Sequence, residues 1–315
     1  LRLRVFATGS RVPGGMAGIK ADRAKPEKGR TMIRTLPTSN TYNRCFKFYV
    51  ILYFTFLFAP LLVTCILAFN DSQFPSLPWK GYTLDWFTAN LQERVGIFHD
   101  QINLVSIWVS FRVAFFVMLL STAVCTCGAF LFEQEDFRFK QLLYFLMLAP
   151  LVIPGVILGI SILLLSNTLG TYFETNWNID IELFRPGFWL VVLGQFSFIA
   201  TLVTLVVSAR LKKFDRTLEE AALNLGANRF EVIWHITLKF LRPAIFGSAA
   251  LAFLMSFENF NTTLFLVGHE ATLPINLYLQ VRDGSTPVIN AISFLLIVGT
   301  SLVALANLYF SRKAE

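Results

Sequence analysis

Charge is scarce in this 315-residue chain. Asp, Glu, Lys and Arg together make up 15% of it, against about 25% in ordinary soluble domains. Histidine is rarer still: His99, His235 and His269 are the only three, and none stands in H-E-x-x-H spacing. The four cysteines, Cys45, Cys65, Cys125 and Cys127, form no C-x-x-C pair, so neither a disulfide framework nor a zinc site is indicated. No G-x-x-x-x-G-K-[ST] stretch occurs, so the loop that cradles nucleotide phosphates is missing. These absences exclude a disordered chain and an ordinary water-soluble enzyme. They leave no catalytic residue and no metal ligand to nominate, and no cofactor bound by the chain itself.

What is present is apolar. Hydrophobic residues make up 55% of the chain, phenylalanine alone supplies 33, and the mean hydropathy is +0.59. A spanning helix needs roughly 20 mostly apolar residues. Six segments meet that length, at 46–69, 104–132, 142–166, 188–209, 244–267 and 288–310. The expected fold class is an all-α integral membrane protein of six transmembrane helices. Pro150 and Pro154 fall inside the third segment, where neighbouring helices can satisfy the carbonyls that proline frees.

Placing the N-terminus in the cytoplasm puts 22 of the 27 Lys and Arg residues on the inner side. Only Lys80, Arg94, Arg185 and Arg282 then fall outside, and Arg112 lies within the second span. The positive-inside rule therefore puts both termini in the cytoplasm. The net charge of +7 follows from this topology and forms no stripe, so membrane lipid and not nucleic acid is the expected partner. Residues 1–45 read as a basic, disordered cytoplasmic tail without the apolar stretch of a signal peptide. Met16 and Met32, downstream of Leu1, are alternative starting residues. Residues 46–310 form the six-span domain, and 311–315 are a cytoplasmic end.

The segment 211–243, between spans four and five, is too polar to span and too periodic for a slack loop. Thr217-x-x-Glu220 has capping-box spacing, and Leu218, Ala221, Ala222 and Leu225 recur as one apolar stripe. Gly226 suits a left-handed helix end. Asn228 can cap a second helix with Phe230, Ile233, Trp234 and Leu241 on its apolar side, and Pro243 marks its end or the entry to span five. Two readings of this helix–turn–helix are open: a docking knob, or an amphipathic hairpin resting on the bilayer or on its own bundle.

Glu220-Ala221-Ala222-x3-Gly226-x9-Ile236-x-Leu238 closely resembles the EAA loop of binding-protein-dependent ABC importer permeases. The family pattern usually has proline after that leucine, where this chain has Lys239. Further stretches are similar to the spermidine/putrescine subfamily. They include Trp79-Lys80-Gly81-Tyr82-Thr83-Leu84-x-Trp86-Phe87, Ser256-Phe257-Glu258-Asn259, Thr272-Leu273-Pro274-Ile275 and Pro287-x-x-Asn290-Ala291. The resemblance covers about residues 45–310. It implies a non-catalytic permease subunit whose coupling helix docks in a groove of an ATPase dimer, with ATP and Mg held by that partner. Glu220, Ala221, Ala222 and Gly226 carry over as the coupling contacts. A second permease subunit, more often a different chain, and a periplasmic solute-binding protein complete the implied partners. The implied location is the inner membrane, and the implied cargo is a small amino-bearing solute such as putrescine or spermidine.

Glu258 is the one acidic residue well inside an expected span, nine residues or about 13 Å from its outer end. Such a carboxylate is either a counter-ion for a cationic solute or part of a helix-to-helix hydrogen bond. Asn259 adds donor and acceptor capacity, and Gln195 is a weaker candidate for the path. Trp79 and Trp86 can stack on an amine or anchor at the interface. In the subfamily a second carboxylate often follows the third-span proline; here that position is Gly155. Gly155-x3-Gly159 is suited to close helix packing. Arg112 is expected to snorkel to the headgroups.

Overall fold

The computed structural model describes residues 40–74, 77–91, 94–284 and 286–313. The basic tail, apart from residues 40–45, and the last two residues lie outside the described residues. The chain divides into two units, Leu1–Phe56 and Leu57–Glu315. The described part of the first is the N-terminal portion of helix α1 (Asn40–Leu67), where Tyr42 stacks on Phe46 and Tyr49 on Tyr53.

The second unit continues through a short helix α2 (Asp85–Thr88) and a small antiparallel hairpin. Its strands β1 (Asn90–Leu91) and β2 (Arg94–Val95) pair Asn90 with Val95 and Leu91 with Arg94. Then follow α3 (Gln101–Gln134), α4 (Lys140–Val152), α5 (Gly155–Trp177), α6 (Phe188–Leu211), α7 (Thr217–Asn224) and α8 (Arg229–Val232). The chain ends with α9 (Leu238–Phe257), α10 (Leu273–Asp283) and α11 (Val288–Lys313). Among the described residues five helices are long and apolar enough to cross a membrane: α1, α3, α5, α6 and the continuous stretch Arg229–Phe257.

The core is the packing of α3, α6 and α9. Val113 and Val117 of α3 meet Ile199, Val203 and Val207 of α6, with Leu241 and Ala252 of α9 closing the cluster. Helix α6 is apolar all round and buried over more than half its apolar length, as a central helix must be. The outer apolar faces of α3 and α5 stay uncovered by this chain, as faces against lipid do. A second cluster joins the outer loop to the last helices through Trp86, Phe87 and Ile97 against Leu273, Ala291 and Ile292. Helix α10 is fastened to α3 by polar groups. Asn103 Oδ1 accepts from Asn276 Nδ2 and Gln280 Nε2, both at 2.9 Å, and Ser110 Oγ accepts the Leu273 amide at 2.8 Å.

Two expected spans are broken. The segment expected at 142–166 is two helices, because proline at 154 has no N–H and forces Ile153 out of helical geometry, to φ −76°, ψ 128°. Helix α5 restarts with Leu158 N donating to Pro154 O and runs to Trp177, eleven residues past the expected end. The span expected at 244–267 instead ends at Phe257, and residues 259–268 form turns laid over α5 and α6. Glu258 is therefore the residue that closes α9 and not a mid-helix carboxylate. Pro243 lies inside α9 and ends nothing.

Glycines allow the turns to lie that close. A Cβ on Gly159 would stand 2.7 Å from the Thr262 carbonyl oxygen, and one on Gly155 3.0 Å from the Asn261 Cβ. Gly159 thus packs against backbone of the broken span and Gly155 against its side chains. Gly159→Val is expected to lower stability by about 1–3 kcal/mol through overpacking against rigid backbone. Gly128, with nothing within 4 Å of its Cβ position, should accept alanine without loss. Thermal unfolding of the detergent-solubilised protein measures both.

Candidate functional site

The loop after α6 folds as a helical hairpin held by caps. Asp215 Oδ1 accepts from Thr217 N at 3.0 Å and Thr217 Oγ1 at 2.8 Å, which starts α7. The same two hydrogen bonds hold the Asp215 carboxyl below its ordinary range. The expected Thr217–Glu220 capping box does not form: Thr217 is already inside the helix and its hydroxyl donates backward to Asp215. Helix α7 ends with the Gly226 amide on Leu223 O at 3.0 Å and the Ala227 amide on Ala222 O at 3.1 Å. Gly226 takes φ +91°, the conformation this double bond requires. Asn228 then makes a full capping box. Its Oδ1 accepts from Phe230 N and Glu231 N, and Glu231 Oε2 accepts the Asn228 amide.

A single π-turn, Ile233–Thr237, joins α8 to α9, with Leu238 N donating to Ile233 O. A π-turn holds extra backbone in one turn and shifts the helix phase. Leu241 accordingly faces the core, fully buried, while Phe230 and Trp234 stack on each other and stay exposed. The expected shared apolar side of these residues is split at that turn.

Glu220 and Ala221 are exposed, Ala222 is half-buried and Gly226 is exposed. Leu218 and Leu223 are exposed too, and Leu225 is 89% exposed. An ordered hairpin thus presents exposed apolar side chains beside Glu220 that this chain does not cover. Its base is tied to the bundle. Arg216 Nη2 donates to Glu133 O at the end of α3 at 2.6 Å, Lys212 pairs with Glu133 at 3.5 Å, and Thr237 Oγ1 donates to Glu219 Oε1. These ties had no expectation in the sequence, because their partners lie up to 83 residues apart.

The second site is where α5 restarts beside the end of α9. Gly155, Phe198, Met255, Glu258, Asn259 and Thr262 line a cavity of about 290 Å³. Positions 155 and 258, far apart in sequence, are brought to one wall. The Glu258 side chain is exposed to this space. Asn259 Oδ1 accepts from Thr262 N at 3.3 Å and Thr263 Oγ1 at 3.2 Å. Gln195 does not line the cavity. It is fully buried, its Nε2 donates to Thr263 Oγ1 at 2.8 Å and its Oε1 accepts from Ser256 Oγ. The amide fastens the broken span from behind.

The outer tryptophans differ. Trp79 is half-exposed and away from the cavity lining. Trp86 is buried, its Nε1 donates to Asn70 O at 2.8 Å and Arg94 covers its ring at 5.5 Å. Arg94 is in turn held above its ordinary range by Asp71, with Asp85 adding to it. Arg112 is partnered within the protein, by Glu270 at 3.2 Å and the Phe188 ring at 5.1 Å, where headgroup contact was expected. Among the described residues no group of three His, Cys, Asp or Glu could hold a metal ion.

Apolar helices long enough to span, a break secured by buried polar groups and a capped hairpin mark an all-α membrane protein. Residues 125–315 match the family described as binding-protein-dependent transport system inner membrane component, and the chain belongs to that family. It is a multi-pass, non-catalytic permease subunit of an ABC importer, and ATP hydrolysis belongs to a separate partner. It is similar to the putrescine transport system permease protein PotI of Escherichia coli (strain K12), with 32% identity over 268 residues, 84% of this chain and 90% of that one. The spermidine/putrescine transport system permease protein PotC of the same strain is 26% identical over 82% of this chain and 90% of its own. Its Haemophilus influenzae counterpart is 28% identical over 81% and 92%. The fold is shared with the crystal structure of a bacterial ABC transporter involved in the import of the acidic polysaccharide alginate. That similarity has a TM-score of 0.61 at 13% identity, over 88% of this chain and 99% of that one.

Two outcomes follow from the polar groups. Gln195→Leu strands Ser256 and Thr263 inside the bundle and should lower stability by about 1–3 kcal/mol. Glu258→Gln, at an exposed position, should leave the melting temperature unchanged. The Asp215 cap has a lowered folded-state pKa, so its contribution is complete above the ordinary aspartate value of about 4. It is lost as pH falls below that, through the lowered value. Amide exchange at Thr217 and its neighbours should report this, with protection constant from neutral pH to about 5 and falling in acid.

Proposed function

We propose that the chain forms one half of the membrane path of an importer for a small diamine or polyamine cation, with α7 as the element that docks to the ATPase. The observation that carries the docking reading is the exposed patch of Leu218, Ala221, Leu225, Phe230 and Trp234 on a hairpin capped at both of its helices. A loop resting loosely on lipid needs no such capping. Glu220, Ala221, Ala222 and Gly226 are its coupling contacts. ATP and Mg belong to the ATPase pair, and closure of that pair biases the spans toward the outward-facing state by differential contact. Both termini face the cytoplasm in this reading, the chain crosses the inner membrane six times, and α4 with α5 make the third crossing. A second, different permease chain and a periplasmic receptor complete the assembly.

Relatives named for putrescine and for spermidine/putrescine support an amine as cargo. In the cavity Glu258 supplies the counter-charge for one ammonium group, and Asn259 lies beside it. Gly155 brings no second carboxylate to that cavity, which favours a short diamine over a long polyamine. Gln195 positions this wall. Trp79, exposed in the outer loop, is the residue of the proposed path for first contact with receptor or amine.

The test is uptake of radiolabelled putrescine in cells carrying the chain with its own partners. Glu220→Ala should abolish uptake while the protein still inserts. Glu258→Gln should raise KM for putrescine about tenfold, the factor that about 1.4 kcal/mol of lost ion pairing carries. Unchanged uptake in Glu220→Ala rejects the docking role, and an unchanged KM in Glu258→Gln rejects the counter-ion.

A further inference from the structure

The geometry points to Glu219 and Thr237 as a strut that makes the hairpin and the fifth span move as one body, with the π-turn as its seat. This rests on the docking role of α7 proposed above and names the residues through which displacement of α7 reaches the membrane. Glu219 and Glu220 are adjacent on α7 but differ in burial. Glu220 is exposed, whereas Glu219 is half-buried and accepts a hydrogen bond from Thr237 Oγ1. Thr237 is fully buried, and it is the last residue of the π-turn. A threonine within a helix commonly returns its hydroxyl to a carbonyl one turn back; this one donates across to the other helix instead.

The π-turn explains why the contact can form. The extra backbone in that turn sets the phase of Thr237 independently of Phe230 and Trp234, so one helix serves two faces. Up to the start of the turn the helix shows its aromatic pair, Phe230 and Trp234, outward. At the turn it reaches back to α7, and above it Leu241 enters the core. The hairpin has a second fixed point in Arg216, which donates to the Glu133 carbonyl of α3. Held only there, α7 could pivot about its N-terminus when pushed. Held also by a charge-assisted bond from Glu219, in the first turn of α7, to the base of span five, it is anchored to two helices and transmits the push.

Glu219 and Thr237 are thus positioning residues for coupling and touch neither solute nor nucleotide. The test uses the whole importer, purified through a tag on this chain and reconstituted in proteoliposomes with its receptor and putrescine. Glu219→Ala and Thr237→Val are each expected to lower putrescine imported per ATP hydrolysed about tenfold, the factor carried by one hydrogen bond to a charged group. KM for putrescine should stay within about twofold, and the ATPase should still copurify. Glu219→Gln and Thr237→Ser, which keep the bond, should restore coupling. The double variant should be no worse than either single one, since both remove one interaction.

Full coupling in either single variant, no rescue by the conservative pair, or additive losses in the double would overturn the strut. If Glu219→Ala fails to insert, the Thr237→Val and Thr237→Ser pair decides on the same readout. Glu220→Ala run in parallel separates the two ideas. Loss of coupling there with full coupling in Glu219→Ala and Thr237→Val sinks the strut alone. Full coupling in Glu220→Ala sinks the docking role of α7 itself.

Discussion

A helix that stops inside a membrane protein leaves amide and carbonyl groups that no water is on hand to satisfy, and the architecture follows from how this chain meets that constraint. Helix α9 stops at Phe257, its last carbonyls are met by turn bonds such as Glu258 N on Leu254 O and Asn259 N on Ser256 O, and side chains fasten the break. Asn259 receives the Thr262 amide and the Thr263 hydroxyl, and Gln195 of α6 clamps Thr263 and Ser256 from behind. Opposite this break Pro154 interrupts the third crossing, and Gly155 and Gly159 let the two irregular segments touch. Two defects that would each be unfavourable alone are packed against each other, and the cavity that holds Glu258 lies between them.

The cytoplasmic hairpin solves a different problem. A short helix is marginal by itself, so α7 depends on Asp215 at its start, a Gly226 turn at its end and a tie to α3. These fasteners leave its apolar stripe free. The stripe reads in the sequence like the buried side of an amphipathic helix, yet in the chain alone it is open, with Leu225 almost wholly so. The chain itself supplies no cover for this stripe among the described residues.

Much of this was legible in residues alone, and the failures are instructive. Hydropathy found the long apolar segments, and among the described residues five helices are long and apolar enough to cross a membrane. It misjudged where two of them stop. Proline at 154 was read as tolerated within a span, whereas its effect on Ile153 ended the helix. Extending the fifth span to 267 placed Glu258 mid-helix, since nothing local in Glu258-Asn259-Phe260-Asn261 announces a break secured by Gln195 more than sixty residues earlier. Capping residues were recognised as a type but placed one cap wrongly at Thr217, two residues from the acceptor that acts. The hairpin itself and the left-handed Gly226 were read correctly, because helix ends are local events.

Sequence by itself determined the class of the molecule, its long apolar segments, the hairpin with its left-handed glycine turn and the scarcity of charge that makes Glu258 conspicuous. These are set by composition and by contacts within a few residues. Only the tertiary structure decided that Gly155 and Glu258 share a wall and that Gln195 is a fastener. It also decided that Arg112 belongs to Glu270 and that Glu219, not its neighbour, is bound to Thr237. Each of those depends on side chains from different helices meeting at hydrogen-bonding range, and helical periodicity specifies which face a residue occupies without specifying what stands opposite it.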